Sequence, residues 1–310
     1  MSTIPAPAVP RASASRGSGW IARVVTGLLG LVLTPISLLL ISWGGSAWQN
    51  HVLRNPWAFS VSEFLALPRA SLYVAVLAAG LLLLAAVVLS GLMSSAGLLA
   101  GGATGLISLL FLAVPALTFA LARVLPGTWS LAAATSLSHG LPLSVGMLLG
   151  GMGIALVLAR RGSRTHVALH VVGVLLVPLV LLVAAALLSQ GLAMGPMLAL
   201  RTFDASFRVL PLLLILAGGV LLVPAAVVTR WSPFALVLPA LALLLLSAST
   251  LLPATIVPLT SLAARLEAGA IPMYATLGGA GLALAVVMAA HTLVIAVVGR
   301  GTARAEAARS

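Results

Sequence analysis

Few side chains in this sequence could support acid–base or metal chemistry. The 310 residues include five His, four acidic residues and no Cys, which excludes thiolate nucleophiles, disulfides and Cys-ligated metal centres. His166 and His170 are four residues apart and share one helix face. His291 lies inside an apolar stretch, nine residues before Arg300. Because His is a common ligand of metals and haem, one hypothesis joins these three His residues into a metal or haem site.

A simpler interpretation needs no ligand. His166 and His170 would form an interfacial pair, and His291 would make one hydrogen bond to a neighbouring helix. No carboxylate that could orient a ligating imidazole lies beside them in the sequence. We therefore expect His170 and His291 to form an intramembrane polar site, without a metal ion or another cofactor.

A second group of candidate residues lies in two polar segments that share one pattern, an acid with flanking Phe residues and a following Arg. Glu63 precedes Arg69 in the first segment, and Asp204 precedes Arg208 in the second. The spacing of Asp204 and Arg208 is that of a helical ion pair. The four residues predict a paired vestibule with one element from each half of the chain. The simpler interpretation, which we favour, is two interfacial amphipathic segments with an exposed ion pair contributing under about 1 kcal/mol.

The composition indicates which class of protein must position these residues. Hydrophobic residues make up 62% of the chain and charged residues 6%, whereas a soluble domain has about a quarter charged residues. All 16 basic residues are Arg, and they lie at the ends of apolar stretches rather than in one cluster. This pattern excludes a nucleic-acid-binding domain and an ordinary soluble enzyme. It predicts an all-α integral membrane protein in contact with membrane lipids.

Eight apolar stretches are long enough to cross the hydrocarbon core, which takes about 20 helical residues. The first stretch is longer than the core of a signal peptide, so we expect it to be retained, with cleavage near residues 44–47 as the alternative. The predicted spans are residues 24–46, 71–89, 98–122, 140–159, 167–188, 209–229, 235–257 and 273–298.

The interior of every predicted span lacks Asp, Glu and Arg. Proton- and ion-coupled transporters commonly use intramembrane carboxylates or His as relays, and intramembrane proteolysis by paired Asp needs two acids at depth. Neither arrangement of carboxylates can form here. We therefore expect no catalytic residues and a protein that is not an enzyme.

The distribution of Arg predicts the orientation of the chain. With the N-terminus inside, ten Arg lie on the inner side and six on the outer side, in agreement with the positive-inside rule. An even number of spans places both termini on the same side. We predict a multi-pass protein of the plasma membrane, here a bacterial inner membrane. Its cytoplasmic tails would be a disordered segment over residues 1–19 and a second tail over residues 301–310.

The two halves of the chain resemble each other. Pro35 and Pro178 occupy corresponding apolar stretches, as do Pro115 and Pro253. We expect these four prolines to kink their helices. Chance matches are the alternative explanation in a chain so rich in Leu, Ala, Gly and Pro.

A unit of four spans returns the chain to its starting side, so a duplication would produce parallel repeats. We predict two tandem parallel four-helix repeats, over residues 20–162 and 163–300. Small residues four apart, which allow close helix packing, recur in the third and fourth spans, and we expect them to pack within the protein. They are Gly97, Gly101, Gly105, Gly146 and Gly150.

Three functions are compatible with these features. A non-catalytic scaffold or accessory subunit of a membrane complex explains the short loops and the lack of buried charge, and we favour it. The alternative is a carrier for a lipid-like or hydrophobic substrate, through a groove between the two repeats. A membrane enzyme acting on lipid headgroups ranks last, because its candidate bases, His51 and His139, match no catalytic spacing. A continuous pocket between the halves would favour the carrier.

Overall fold

The fold of this chain is a bundle of α-helices. The computed structural model describes residues 16–55, 60–161, 167–204, 206–251, 255 and 279–307, and no strand occurs in these ranges. The helices are α1 (Arg16–Arg54), α2 (Val61–Ala66), α3 (Ala70–Leu89), α4 (Ala96–Ala113), α5 (Pro115–Val124), α6 (Gly127–Ser138), α7 (Leu141–Arg160), α8 (Val167–Met194), α9 (Pro196–Thr202), α10 (Val209–Val227), α11 (Val237–Thr250) and α12 (Ala280–Ala307).

Eight of these helices are long and apolar enough to cross a membrane, which confirms the predicted number for the described part of the chain. They are α1, α3, α4, α7, α8, α10, α11 together with the 3₁₀ turn before it, and α12. We call the end of the bundle at which α1 begins the first face, and the end at which α1 finishes the second face. Charged residues within these eight helices lie near the helix ends, as expected where ionised groups avoid the hydrocarbon core.

Helices α7 and α12 form the centre of the bundle and are the most buried of the eight. They contact each other, and each also packs on helices from both halves of the chain. Helix α7 packs on α4 and α10, whereas α12 packs on α3 and α11. Helix α1 packs on α3 and α4, and α8 packs on α10.

Glycines bring the helix backbones close together where α4 crosses α7. A Cβ atom built on Gly102 would lie 2.8 Å from the Cα of Gly150, and a Cβ on Gly105 would lie 2.9 Å from the backbone nitrogen of Met147. Because these distances are too short for a side chain, only Gly permits the approach. The prediction that the small residues of these two helices pack within the protein is confirmed.

The third predicted span, residues 98–122, is interrupted in the structure. Helix α4 ends at Ala113, and Pro115 begins the short helix α5, because proline has no N–H to donate to the carbonyl of Phe111. Thr118 donates its hydroxyl to that carbonyl instead, at 3.3 Å. Pro115 therefore ends the helix rather than kinking it.

The other prolines and the predicted tails have mixed outcomes. Pro35 and Pro178 lie inside α1 and α8, whereas Pro253 lies outside the described residues. Helix α1 already begins within the predicted tail over residues 1–19, and α12 continues into the one over residues 301–310. Both extensions are regular continuations of long helices.

Candidate functional site

His291 makes the hydrogen bond between structural elements that the simpler interpretation expects. Its side chain is fully buried, and Nε2 lies 2.8 Å from Oγ1 of Thr229 in the 3₁₀ turn after α10. The Thr229 hydroxyl itself lies 2.6 Å from the carbonyl of Ala226, to which it donates. A hydroxyl has one proton, so His291 Nε2–H donates to Thr229. Nδ1 of His291 has no hydrogen-bond partner among the described residues.

The side chain of His170 is not part of the hydrogen bond between His291 and Thr229. Its backbone carbonyl accepts from Ser232 at 3.3 Å, and its side chain is half-buried near the first face. His166 lies outside the described residues. Within the described part of the chain, no group of three or more His, Asp or Glu residues could hold a metal ion. An intramembrane polar site combining His170 with His291 stays a prediction.

Glu63 and Arg69 lie at the starts of two successive helices near the second face. The carboxylate of Glu63 accepts from the backbone N–H of Ser60 at 3.0 Å, and the Ser60 hydroxyl accepts from the Glu63 N–H at 3.2 Å. This reciprocal pair is a capping box, which stabilises the start of α2. Arg69 precedes α3 with a φ of 69° and is exposed.

Asp204 and Arg208 form the expected ion pair, with 3.1 Å between Oδ2 and Nη2. Hydrogen bonds from the backbone and hydroxyl of Ser206, and then from Arg208, lower the pKa of Asp204. Both side chains are exposed, which indicates a weak surface pair. Phe203 beside them contacts the ring of Phe119 in α5. These contacts hold the loop locally, and the paired vestibule formed with Glu63 and Arg69 stays a prediction.

A cavity that was not predicted from the sequence opens at the second face. We call it the polar cleft. It has a volume of about 400 Å³ and lies among α1, α3, α6 and the starts of α7 and α12. Its polar lining comes mainly from α1 and α6, namely Ser42, Ser46, Gln49, Asn50, Thr128, Thr135, Ser136 and His139, with Tyr73 from α3.

A sequence signal for this cleft was present. Ser42, Ser46, Gln49 and Asn50 recur at the i, i+4, i+7 and i+8 spacing of a single helix face. A polar stripe of this kind within a candidate span must face either protein or water, because lipid cannot satisfy its hydrogen bonds. None of these four residues is ionisable, so a search for acid–base or metal-binding side chains does not find the stripe.

The wall of the polar cleft contains a rigid aromatic group. Trp43 stacks on Trp129 with ring centroids 5.1 Å apart and meets Tyr73 edge-on at 5.7 Å. Its indole Nε1 donates to Oγ1 of Thr128 at 3.0 Å, which joins α1 to α6. Close by, the hydroxyl of Ser42 is buried and has no hydrogen-bond partner among the described residues.

His139 lines the polar cleft as a neutral imidazole. Its Nδ1 lies 2.7 Å from the carbonyl of Thr135. A carbonyl only accepts, so Nδ1 carries the proton and Nε2 has a free lone pair. Burial lowers the pKa of His139, the hydrogen bond to Thr135 partly opposes that shift, and the charge of Arg201 lowers the pKa further. The ring is therefore a hydrogen-bond acceptor at neutral pH.

A cavity with a largely apolar lining shares Ser136 with the polar cleft. We call it the first groove. It has a volume of about 380 Å³ and lies among α1, α4, α5 and α6. Ser136 lines both cavities, and Leu39 of the groove is three residues from Ser42 of the cleft on α1. The lining is largely aliphatic and aromatic, including Leu31, Pro35, Leu38, Ile107, Phe111, Leu121 and Leu125.

A second apolar cavity lies in the other half of the chain. We call it the second groove. It has a volume of about 290 Å³ and lies mainly among α8, α10, α11 and α12. Its lining is apolar except for Ser144 of α7, and it includes Pro178, Leu182, Ala185, Ala242 and Leu246.

The arrangement of the cleft and the first groove suits a ligand that is polar at one end and apolar along the rest. The described residues of the two cavities contribute hydroxyls, amides, aromatic rings and one neutral imidazole, and they include no Asp, Glu or Arg.

Comparisons with protein-family models, with curated proteins and with solved structures found no match to this chain.

Proposed function

We propose that this protein is a non-catalytic membrane protein that binds a lipid-like amphiphile. The polar end of the ligand lies in the polar cleft, and its apolar part lies in the first groove. The observation that carries this proposal is that the two cavities share Ser136 as a lining residue. A lipid-binding role fits the carrier alternative, except that the groove lies within the first half of the chain rather than between the halves.

The dimensions of the two cavities support this proposal. The first groove follows α1 from Leu39 down to Leu31, which at 1.5 Å per residue is about 12 Å of membrane depth. An acyl chain is the apolar group that such a lining would accept from a bilayer. The polar cleft lies at the end of α1, where a lipid headgroup lies in a membrane.

A scaffold or accessory subunit of a membrane complex is the second candidate. The close packing between the halves favours it. A Cβ on Gly151 of α7 would lie 2.6 Å from the carbonyl oxygen of Val223 in α10, close to Ala226. Such contacts resist the relative movement of the two halves that a transport cycle between them would require.

We also propose that the eight helices form two tandem parallel four-helix repeats. The turns between the helices support this. Helix α3 is followed by a 3₁₀ turn over Ser90–Leu92, and α10 by one over Val228–Arg230. In both turns the carbonyl of the first residue accepts hydrogen bonds from the backbone N–H groups three and four residues later. The second turn begins at Val228, which is 138 residues after the start of the first turn at Ser90.

One close contact between helices recurs in the two halves, with one spacing for α1 and α8 and another for α3 and α10. Gly44 of α1 approaches the backbones of Tyr73 and Leu77, and Gly191 of α8 approaches those of Pro211 and Ile215. Position 211 is 138 residues after position 73, and 191 is 147 after 44. The pairing of Pro35 with Pro178, 143 residues apart, differs from this contact spacing by one helical turn.

Glycines of α3 and α10 make the corresponding contacts in the opposite direction, toward α1 and α8, at the same two spacings. A Cβ on Gly80 would lie 2.9 Å from the Ser37 carbonyl oxygen and the Ile41 nitrogen. A Cβ on Gly218 would lie 2.8 Å from the Ala184 carbonyl oxygen and 2.9 Å from the Leu188 nitrogen. The lining of the two grooves also corresponds at these spacings, in the pairs Leu31 and Pro178, Pro35 and Leu182, Leu38 and Ala185, Thr104 and Ala242, and Ser108 and Leu246.

If the repeat proposal is right, equivalent glycines respond equally to substitution. Gly80→Ala and Gly218→Ala are each expected to lower the free energy of unfolding by about 1–2 kcal/mol, because the new methyl group overlaps backbone atoms. Denaturation of the purified protein in mild detergent measures both. Gly219→Ala is the matched control, since its Cβ would lie 3.6 Å from the side chain of Leu143. Disruption by only one of the two variants contradicts the proposed equivalence.

We further propose that both termini are cytoplasmic and that the membrane is the plasma membrane, a bacterial inner membrane. Basic residues at the first face support this orientation, because an excess of Arg marks the cytoplasmic side. They include Arg23, Arg160, Arg161, Arg230 and Arg300. In this orientation the polar cleft opens toward the outer leaflet.

Two adjacent residues of α4 provide the test of lipid binding. Ile107 lines the first groove, whereas Leu106 does not line it and is 61% exposed. Ile107→Trp is expected to fill the groove and reduce the amount of co-purified lipid at least 10-fold, measured by native mass spectrometry of the protein released from detergent micelles. Leu106→Trp adds the same ring to the outer surface and should retain the lipid.

The same experiment separates the two candidate functions. Equal lipid occupancy in wild type, Ile107→Trp and Leu106→Trp would refute binding in the first groove. If no lipid remains on any of the three proteins, and a second protein co-purifies with all of them, the accessory-subunit proposal gains support instead.

A further inference from the structure

We infer that the polar cleft selects an amphiphile whose head is a neutral polyhydroxyl group, as in a glycosyl lipid, and not an anionic phosphate headgroup. This inference rests on the proposed function, because it names the head of the same ligand.

The charge of the cleft argues against a phosphate. Arg and Lys side chains bind phosphate with charge-assisted hydrogen bonds, which are paired in the case of Arg. The starts of α6, α7 and α12 border the cleft, so uncharged helix N-termini are the partners left there for an anion. None of the described residues that line the cleft is an Arg, and the chain has no Lys. His139 is neutral, since burial lowers its pKa. Arg201, whose charge also acts on His139, is exposed and does not line the cleft.

The hydrogen-bonding groups of the cleft suit hydroxyls. Thr128 accepts from Trp43, so its own O–H can donate to a ligand. His139 offers only a lone pair at Nε2. The amides of Gln49 and Asn50 each contain donor and acceptor atoms. A sugar hydroxyl both donates and accepts, so it can satisfy either kind of group, whereas a phosphate oxygen at neutral pH mainly accepts.

One buried hydroxyl of the cleft is available for a hydrogen bond to a ligand. Ser42 is 6% exposed, lines the cleft, and its Oγ has no hydrogen-bond partner among the described residues. An unpaired buried hydroxyl destabilises a protein by roughly 1–3 kcal/mol. A polyhydroxyl ligand in the cleft would provide its partner.

Aromatic side chains complete the match. Trp43 and Tyr73 both line the cleft and are held against each other and against Trp129. Rigid aromatic rings provide apolar surface with little loss of side-chain entropy on binding. The C–H face of a sugar ring packs against such surfaces, while its hydroxyls reach the surrounding polar groups. A phosphate group has no apolar face that could pack against these aromatic rings.

The test compares four probes. Glucosyl diacylglycerol, phosphatidylglycerol and diacylglycerol with identical acyl chains are added to the delipidated protein, and native mass spectrometry measures their occupancy. Methyl glucoside is the fourth probe, which represents a free sugar. We expect glucosyl diacylglycerol to bind at least 10-fold more tightly than each of the other three.

Two serine variants locate the selection. Ser42→Ala is expected to weaken glucosyl diacylglycerol binding 3- to 10-fold and to leave diacylglycerol binding unchanged. Ser189→Ala is the matched control. Ser189 is buried, lines neither the polar cleft nor the first groove, and donates to the carbonyl of Ala186 within its own helix, so its loss should not alter the preference between headgroups.

The outcomes separate this inference from the proposed function. Equal or tighter binding of phosphatidylglycerol overturns the inference and leaves lipid binding intact. Equal binding of methyl glucoside overturns the lipid-borne source of the sugar. If none of the three lipids binds, the proposed function itself fails. A preference for glucosyl diacylglycerol that Ser42→Ala does not reduce overturns the assignment of selection to this cleft.

Discussion

Gly102→Val is expected to separate α4 from α7 and to lower the free energy of unfolding by about 3 kcal/mol, at the upper end of the usual effect of overpacking. The new side chain would have to occupy the space of the opposing backbone, since its Cβ would lie 2.8 Å from the Cα of Gly150 and 3.0 Å from its nitrogen. A backbone cannot change rotamer to make room, and α7 is the most buried of the candidate membrane-spanning helices. Little protein should remain monodisperse in mild detergent.

The measurement is size-exclusion chromatography with intrinsic Trp fluorescence, followed by thermal unfolding of the monodisperse fraction. Gly150→Ala is the matched control, because its Cβ would lie 3.8 Å from Gly102, an ordinary contact distance. It should behave as wild type. A Gly102→Val protein with the melting temperature of Gly150→Ala would show that α4 and α7 do not cross at these glycines.

Thr229→Val is expected to lower the free energy of unfolding by about 2 kcal/mol. The substitution removes the acceptor of the His291 Nε2–H bond and leaves a polar group unpaired on a fully buried imidazole. Measured interhelical hydrogen bonds in membrane proteins average nearer 0.6 kcal/mol because the unfolded chain in a membrane also finds partners. The larger value follows here because the ring loses the hydrogen-bond partner of Nε2 and Nδ1 is already unpaired.

A double-mutant cycle isolates this interaction. Thr229→Val combined with His291→Leu removes both polar groups and should recover most of the loss, so the coupling energy should be about 1–2 kcal/mol. Thr292→Val is the control, because this buried neighbour of His291 donates to the carbonyl of Met288 in its own helix. Additive effects of the two substitutions would mean that the side chains of Thr229 and His291 do not interact.

The membrane class of this protein was predictable because it depends on totals along the chain. A composition with 6% charged residues cannot cover the surface of a soluble domain with polar groups. The period and length of the apolar stretches then indicate eight helices, since each span must satisfy its own backbone hydrogen bonds in lipid. The hydrogen bond of His291 to a neighbouring element was expected for the same reason, because a lone polar group in a span needs a partner.

The candidate binding site was not predictable in this way. Ser42 lies more than 80 residues before both Thr128 and His139 in the chain, and none of the three marks a site on its own. Their proximity depends on Pro115, which ends α4 early and lets α5 and α6 fold back toward α1, where Trp43 meets Thr128. Local sequence does not encode which of several apolar faces will pack together.

The sequence by itself determined that the chain is helical, apolar and free of ionised groups at depth, because these properties follow from local composition and from the physics of the bilayer. Tertiary structure decided that a polar cleft and an apolar groove share Ser136 in their linings. It also decided that Thr229 is the residue bonded to His291. Such contacts join residues that are distant in the chain, and they are selected by the shapes of the packed helices and by the few glycines that let backbones meet.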